Sequence, residues 1–378
     1  MRLDADVAVI GLGAWGASAL WRLALRGVDV LGFERYGLGN ALGSSHGGSR
    51  MFRITCLEHP GLVPMARRSL ELWRELEAAA GTTLFEPCGG LLIGSPRGRI
   101  VGGTLRAAER HGIDVQTLPR DALRERFPQH AAVADDQIGV WEPSAGVLRP
   151  ETAIRAAVRL AADAGATVFT DTRVTELVRV GSGVLLRTPV REFRVRTTVV
   201  TVGCWLPGLV AGLPLTTVRM PITWFRPTSA SEQFGIDRFP VFMRELDQHR
   251  VLWGNGSFDG QAVKLGLEGA VDSARPMDPD DTDRSTVSDD WTELADLLAT
   301  HLPGFGMSPA RSAACMYSAT PDGQFVLGCP GDPRLVVASG CNAHGFKHAT
   351  GVGEVLADMV TGSRPGYPLG FTDPGRFT

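Results

Sequence analysis

The first apolar run, residues 7–10, is short, rich in β-branched side chains and closed by glycine, the pattern of a buried strand. Residues 17–26 switch to helical spacing and stop at Gly27, and a second apolar run covers residues 28–33. Strand, helix and strand are thus predicted in order. Residues 64–80 carry Leu70, Trp73 and Leu76 at helical spacing before Gly81, which predicts an amphipathic core helix. Residues 152–165 read as helix and 166–180 as strand, and a strand pair then leads to the apolar run 198–202. Residues 335–340 read as a buried strand running into a loop and a helix over 350–361. Strands alternating with helices predict an α/β fold of the doubly wound, Rossmann type. Residues 86–145 and 217–307 differ, being richer in proline, aspartate and short strand-like runs such as 251–256. They are expected to form a discontinuous second domain, α+β with a largely antiparallel sheet, inserted into a first domain of residues 1–85, 146–216 and 308–378. The Pro/Asp-rich run 277–283 reads as a turn or surface loop before a helix over 290–301.

Between the first strand and helix lies Gly11-Leu12-Gly13-Ala14-Trp15-Gly16, and the second strand ends in Glu34, eighteen residues after the last glycine. Tight turn, close backbone approach, helix N-terminus and a terminal acid for ribose hydroxyls make this a dinucleotide fingerprint. FAD and NAD both use it. The following stretch, residues 39–53, tilts the choice toward FAD: it is rich in glycine and serine, contains Ser44, Ser45 and His46, and ends in Arg50 and Arg53. Flexible backbone and hydroxyls there can wrap a second phosphate or a flavin ring.

With 44% apolar and 21% charged residues over 378 positions, the chain can bury the cores of two domains. A net charge of −3 offers no basic face to nucleic acid or an anionic membrane, so small molecules are the expected partners. The acidic start and the glycines breaking the first apolar run point to a cytoplasmic protein without a membrane span. Six cysteines show neither a disulfide framework nor paired zinc spacing. Lysine occurs only at 264 and 347, so the other 36 of the 38 basic residues are arginine. Where a compact, deprotonatable ammonium is needed, the flat arginine fork cannot substitute.

Four segments together resemble the monomeric sarcosine oxidase and N-methyltryptophan oxidase family of FAD-dependent amine oxidases. They are Gly11 to Gly16, Ser45 to Arg53, Ala314-Cys315-Met316-Tyr317 with Thr320-Pro321-Asp322, and His344-Gly345-Phe346-Lys347. The resemblance spans essentially the whole chain. It implies FAD bonded through its 8α-methyl to the sulfur of Cys315, a substrate carboxylate held by Arg53 and Lys347, and an oxygen-activating cation at Lys264. Arg50 matches an arginine beside the flavin, and His46 a histidine of the same loop. Both lysines thereby fall on active-site positions. The expected cofactor contacts are Gly11, Gly13, Gly16, Glu34, Arg35, Ser44, Ser45, Val174, Gly203, Trp205, Cys315, Met316, His344, Gly345, Phe346 and Lys347. The helix after the last of these would favour negative charge on the flavin pyrimidine.

Where the family has a tyrosine this chain has Trp253, and where it has a histidine this chain has Glu268. Both positions are expected on the substrate wall, which points away from sarcosine toward a cyclic or larger N-substituted amino acid. The expected reaction is oxidation of the C–N bond with oxygen as acceptor, giving hydrogen peroxide and an imine that hydrolyses, in a monomer or small homo-oligomer. The competing readings are an FAD dehydrogenase with another acceptor, a flavin-binding redox protein without turnover, and a nicotinamide-dependent reductase. Lys264, the Arg53/Lys347 pair and Cys315, respectively, argue against them.

Overall fold

The opening apolar run becomes the strand Ala5–Ile10 of a computed structural model that describes residues 3–269 and 275–377. The strand is buried on both faces, as expected where helices cover a parallel sheet. It pairs in parallel with Val30–Phe33 and Glu192–Val200, and the parallel series extends to Thr167–Phe169 on one side and Leu335–Ser339 on the other. Helix Ala14–Leu25 packs against helices Pro150–Asp163 and Ala349–Thr361. Helix Leu62–Ala80 turns Met65, Trp73 and Leu76 into the same core. Each fully buried side chain of this kind contributes about 1.5–3 kcal/mol.

One predicted strand divides. Residues 166–180 form two strands, Thr167–Phe169 and Glu176–Val180. The chain between them turns at Asp171, whose φ is 50°, as the Asp171 and Thr172 amides donate to the carbonyls of Tyr36 and Glu34. These bonds bend Arg173 and Val174 away from the sheet and into the wall of a cavity.

The second sheet draws on both segments expected to build it. Its order is Gln116–Leu118, Ile138–Glu142, Gly90–Gly94, Val241–Glu245, Val251–Asn255, Val263–Glu268 and Thr216–Phe225. Among the described residues, only the contact of Gly90–Gly94 with Val241–Glu245 is parallel in this sheet. Strand alternation sorts its side chains. Phe225, Phe242, Leu252 and Leu265 join a core with Leu294 and Leu298 of helix Thr292–His301. Trp253, Asn255 and Lys264 alternate with them and so take the other face, where Ser49 of the first domain donates to Asn255 at 2.9 Å.

The strand Arg311–Ala319, which carries Cys315, runs along Thr216–Phe225 from Ala319 against Thr216 to Arg311 against Trp224. Residues 308–378 therefore do not all lie in the first sheet: long ladder pairing ties this strand to the second one and brings Cys315 to the seam between them.

Candidate active site

A cavity of about 480 Å³ begins where the parallel strands end, as open α/β sheets provide. Gly11, Gly13, Glu34, Arg35, Val174, Gly203 and Trp205 line one part of it, and Ser44, Ser45, Arg50, Cys315, Met316, Gly345 and Phe346 another. Glycine is obligatory at 16, where a Cβ would stand 1.9 Å from the Gly11 carbonyl oxygen and 2.4 Å from Thr201 Oγ1. A Cβ at Gly13 would meet only Ser45 Oγ, at an ordinary 3.7 Å, so the backbone there faces open space, as a close ligand approach requires. The Leu12 amide donates to Glu34 at 2.8 Å and the Tyr36 amide at 3.0 Å; burial nonetheless raises the Glu34 pKa. Gly-rich turn, helix N-terminus and terminal acid fit a dinucleotide with a pyrophosphate.

Beyond the fingerprint the walls become apolar and sulfur-rich. Cys315 is buried opposite Met220 in the ladder, with Sγ 4.0 Å from the Ser44 carbonyl oxygen. Cys204 and Cys341 line the same cavity; burial pushes the Cys204 thiol up to about 12 and raises that of Cys341. Such thiols are not nucleophilic at neutral pH.

A cluster of basic groups gathers beside Arg50. Lys264 Nζ donates to the carbonyls of Ser49 at 2.9 Å and Gly47 at 3.1 Å, and it stands 5.5 Å from the Trp224 ring. Glycine is needed at 47, where φ is 97° and a Cβ would approach Ile222 to 2.8 Å and Lys264 Nζ to 3.3 Å. Burial first, and then the Arg50 charge, hold Lys264 well below the ordinary lysine range. The same two causes, with Lys264 as a third, lower His46 to about 4, so its imidazole is neutral at pH 7. Glu151, which no sequence motif marks, accepts from the Gly47 amide at 2.6 Å and the Gly48 amide at 3.1 Å. It fixes the turn whose carbonyl holds Lys264. Burial opposes its ionisation, but backbone hydrogen bonds and Arg50 keep its pKa low.

Arg53 and Lys347, 294 positions apart in sequence, meet on one carboxylate. Glu58 Oε1 lies 2.6 Å from Arg53 Nη2 and 3.0 Å from Lys347 Nζ, and its other oxygen, which is buried, has no hydrogen-bond partner among the described residues. Burial would raise the Glu58 pKa, but Arg53 and Lys347 hold it well below the usual carboxylate range. Glu142 holds the loop that carries Arg53, accepting from the Ile54 amide at 2.6 Å and the Thr55 amide at 3.2 Å. Nothing in the local sequence marks Glu58 or Glu142, because their partners are set by tertiary packing.

Gly16 and Lys347, both expected to contact the cofactor, do not line the cavity, and three further expected residues are placed as follows. His344 does not line the cavity, although Ala343 and Gly345 do; its imidazole stacks on Phe325 at 4.8 Å, with Nε2 3.3 Å from the Gly323 carbonyl oxygen. A positive φ of 60° at Ala343 accompanies this turn of the chain. Glu268, expected on the substrate wall, is half-exposed and paired with Arg99 at 2.7 Å. Trp253 lies over Gly266, where a Cβ would come within 2.2 Å of the indole, and it packs with Trp224, Ile222 and Cys315.

A dinucleotide cavity lined by Arg50, with a buried basic cluster beside that residue, suits a flavin-type oxidoreductase site, and the comparisons place the chain accordingly. Residues 6–359 match the family described as FAD dependent oxidoreductase (DAO). The chain belongs to that family. It is similar to monomeric sarcosine oxidase of Streptomyces avermitilis, 33% identical over 98% of this chain and 97% of that one. N-methyl-L-tryptophan oxidase of Yersinia pestis is 31% identical over 94% of both chains. Among solved structures, NikD, described as an unusual amino acid oxidase essential for nikkomycin biosynthesis, superposes with a TM-score of 0.84 at 25% identity, covering 99% of this chain and 98% of that one. The protein is thus an FAD-dependent oxidoreductase of sarcosine oxidase-like type with the expected two-sheet fold. Among the described residues, no helix is long and apolar enough to cross a membrane.

Proposed function

We propose that this enzyme oxidises the C–N bond of a secondary amino acid, N-methylated or cyclic, with oxygen as acceptor. FAD, held by the residues lining the cavity, would supply the hydride acceptor for the substrate carbon and the route for two electrons to oxygen. The amine leaves as an imine, which water converts to a carbonyl compound and a free amine or which stays in a ring; oxygen leaves as hydrogen peroxide.

The observation that carries this reading is the Glu58 carboxylate between Arg53 and Lys347. A basic pair of this geometry binds a carboxylate, and a substrate carboxylate entering as Glu58 swings away would take over charge-assisted bonds already formed. Anchoring there fixes the reacting C–H in position, and positioning of this kind supplies much of an enzyme's rate. The nearby positive charge lowers the pKa of the bound amine, which must be neutral before hydride departs. Lys264 is the group that stabilises negative charge as it develops on oxygen. Trp253 is proposed as a substrate wall, its bulk favouring a cyclic or larger amino acid over sarcosine. Glu268 would act there only if freed from Arg99. Residues 1–85, 146–216 and 308–378 are assigned to the FAD domain and 86–145 with 217–307 to the substrate domain, the strand of Cys315 being shared.

Cys315 is the proposed attachment point, supported by its place in the cavity beside Ser44 and Met316. After acid precipitation the yellow colour is expected to stay with the protein pellet and to wash out of Cys315→Ala. Colour in the supernatant of the parent protein would make Cys315 a structural thiol. The reaction itself is tested by peroxide release from a panel of N-methyl and cyclic amino acids; activity only with an artificial electron acceptor would replace the oxidase by a dehydrogenase.

A further inference from the structure

The run 277–283, expected as a turn or surface loop, is a largely exposed turn, and two of its residues also reach the cavity wall. Strand Arg275–Pro276 pairs with Val218–Arg219 in the second sheet, and Pro279 and Asp280 then line the dinucleotide cavity together with Glu34, Arg35 and Val174. Three donors of the first domain converge on Asp280. Arg35 Nη1 lies 2.5 Å and Trp205 Nε1 2.8 Å from Oδ1, and Arg173 Nη2 lies 3.6 Å from Oδ2. The Arg35 guanidinium also lies close to two aromatic rings, 5.0 Å from that of Tyr36 and 5.6 Å from that of Trp205. The far side of the strap is pinned separately, where Arg284 Nη2 donates to the Leu42 carbonyl at 2.9 Å. Proline at 279 restricts the strap's backbone just before the contact.

Asp280 thus ties a turn that follows a strand of the second sheet to three donors carried on connections of the first. Glu34 marks the part of the cavity where a ribose is expected, and Asp280 stands beside it. We propose that Asp280, with Arg35, Arg173 and Trp205, forms a clasp that closes residues 277–284 over the adenosine end of bound FAD, so that its opening governs entry and escape of the cofactor. The clasp rests on FAD binding, which family membership establishes, and not on attachment at Cys315. Arg35 and Trp205, also in Asp280's hydrogen-bond environment, hold its pKa below the ordinary value, so the contact remains ionic across neutral pH. The groups concerned are partly exposed, the Asp280 side chain by 45% and that of Arg35 by 25%, so the ion pairs are screened by salt.

The test uses the Cys315→Ala holoprotein, whose FAD is held by contacts alone, and follows fluorescence of FAD released after dilution. Asp280→Ala is expected to release FAD about three- to tenfold faster, Arg35→Met by a similar factor, and the double variant no faster than the quicker single one, since both break one clasp. Asp280→Asn, which keeps an acceptor for Trp205, should fall between. Raising salt from about 0.05 to 0.5 M should speed release from the Asp280 protein and leave Asp280→Ala unchanged. Equal release rates with and without Asp280, or an equal salt response, would overturn the clasp. If Cys315→Ala still keeps its colour through acid, the attachment reading fails by itself. The clasp is then read from the rate at which flavin-free chain takes up FAD, faster in Asp280→Ala if the proposal holds and unchanged if it does not.

Discussion

Lys264→Met is expected to slow reoxidation of the reduced enzyme by oxygen about 10²–10³-fold, the usual cost of removing one preorganised charge partner from a developing anion, while anaerobic reduction by substrate changes little. The reason is positional. Lys264 Nζ is fixed by two backbone carbonyls, beside Arg50 and out of contact with the Arg53/Lys347 pair. The proposal therefore assigns it to the oxygen half of the reaction. Its pKa direction adds a pH signature. The folded group titrates well below 10.5, so the cation is present at low pH and lost as pH rises through that folded value. The reoxidation rate should accordingly fall on the alkaline side, well short of pH 10.5, and the Lys264→Met rate should lack that fall. Stopped-flow mixing of reduced enzyme with oxygen across pH reads both effects. Equal slowing of the two half-reactions would remove the proposed role.

Arg53→Ala should raise the KM for an amino acid substrate about 10²-fold or more, the loss expected when one member of a buried charge pair is taken from a carboxylate. The same variant leaves Glu58 with Lys347 as its remaining basic partner, in a place where both carboxylate and ammonium are nearly out of water. A lower Tm should follow, so binding is compared at a temperature where both proteins are folded. The distinguishing readout is an amine of equal size without a carboxylate. Parent and Arg53→Ala should handle it alike, because it never used the pair. An unchanged KM for the amino acid in Arg53→Ala would put the carboxylate elsewhere.

Much of the nucleotide end was legible because its signals are local. Strand, Gly11-to-Gly16 turn, helix and Glu34 lie within thirty positions, and each step follows from steric rules that the chain obeys without distant help. The lysine scarcity was a second local signal: both survivors are almost fully buried and bonded, where flat arginine would not fit as well. What stayed hidden depends on long-range pairing. Glu151 is tied to a glycine turn about a hundred positions away, and Asp280 to Arg35 across 245 positions. Composition marks 277–283 as an exposed turn, which it is, but not its contacts: only the tertiary fold brings that acid onto Arg35 and Trp205. Likewise the break at Asp171 could not be foreseen, since it is imposed by the carbonyls of Glu34 and Tyr36 on the neighbouring strand's loop. Glu268 was placed by correspondence of position, and a partner outside that correspondence, Arg99, decides what its carboxylate touches.

The measurement that tests the central claim most directly is anaerobic mixing of the holoenzyme with an N-methyl or cyclic amino acid, in parallel with the same amine lacking its carboxylate, followed by admission of air. The account predicts that the flavin absorbance bleaches with the amino acid and hardly at all with the truncated amine, and that air restores it with one hydrogen peroxide per flavin. Equal bleaching by both amines, or colour that returns only with an added electron acceptor, would contradict it.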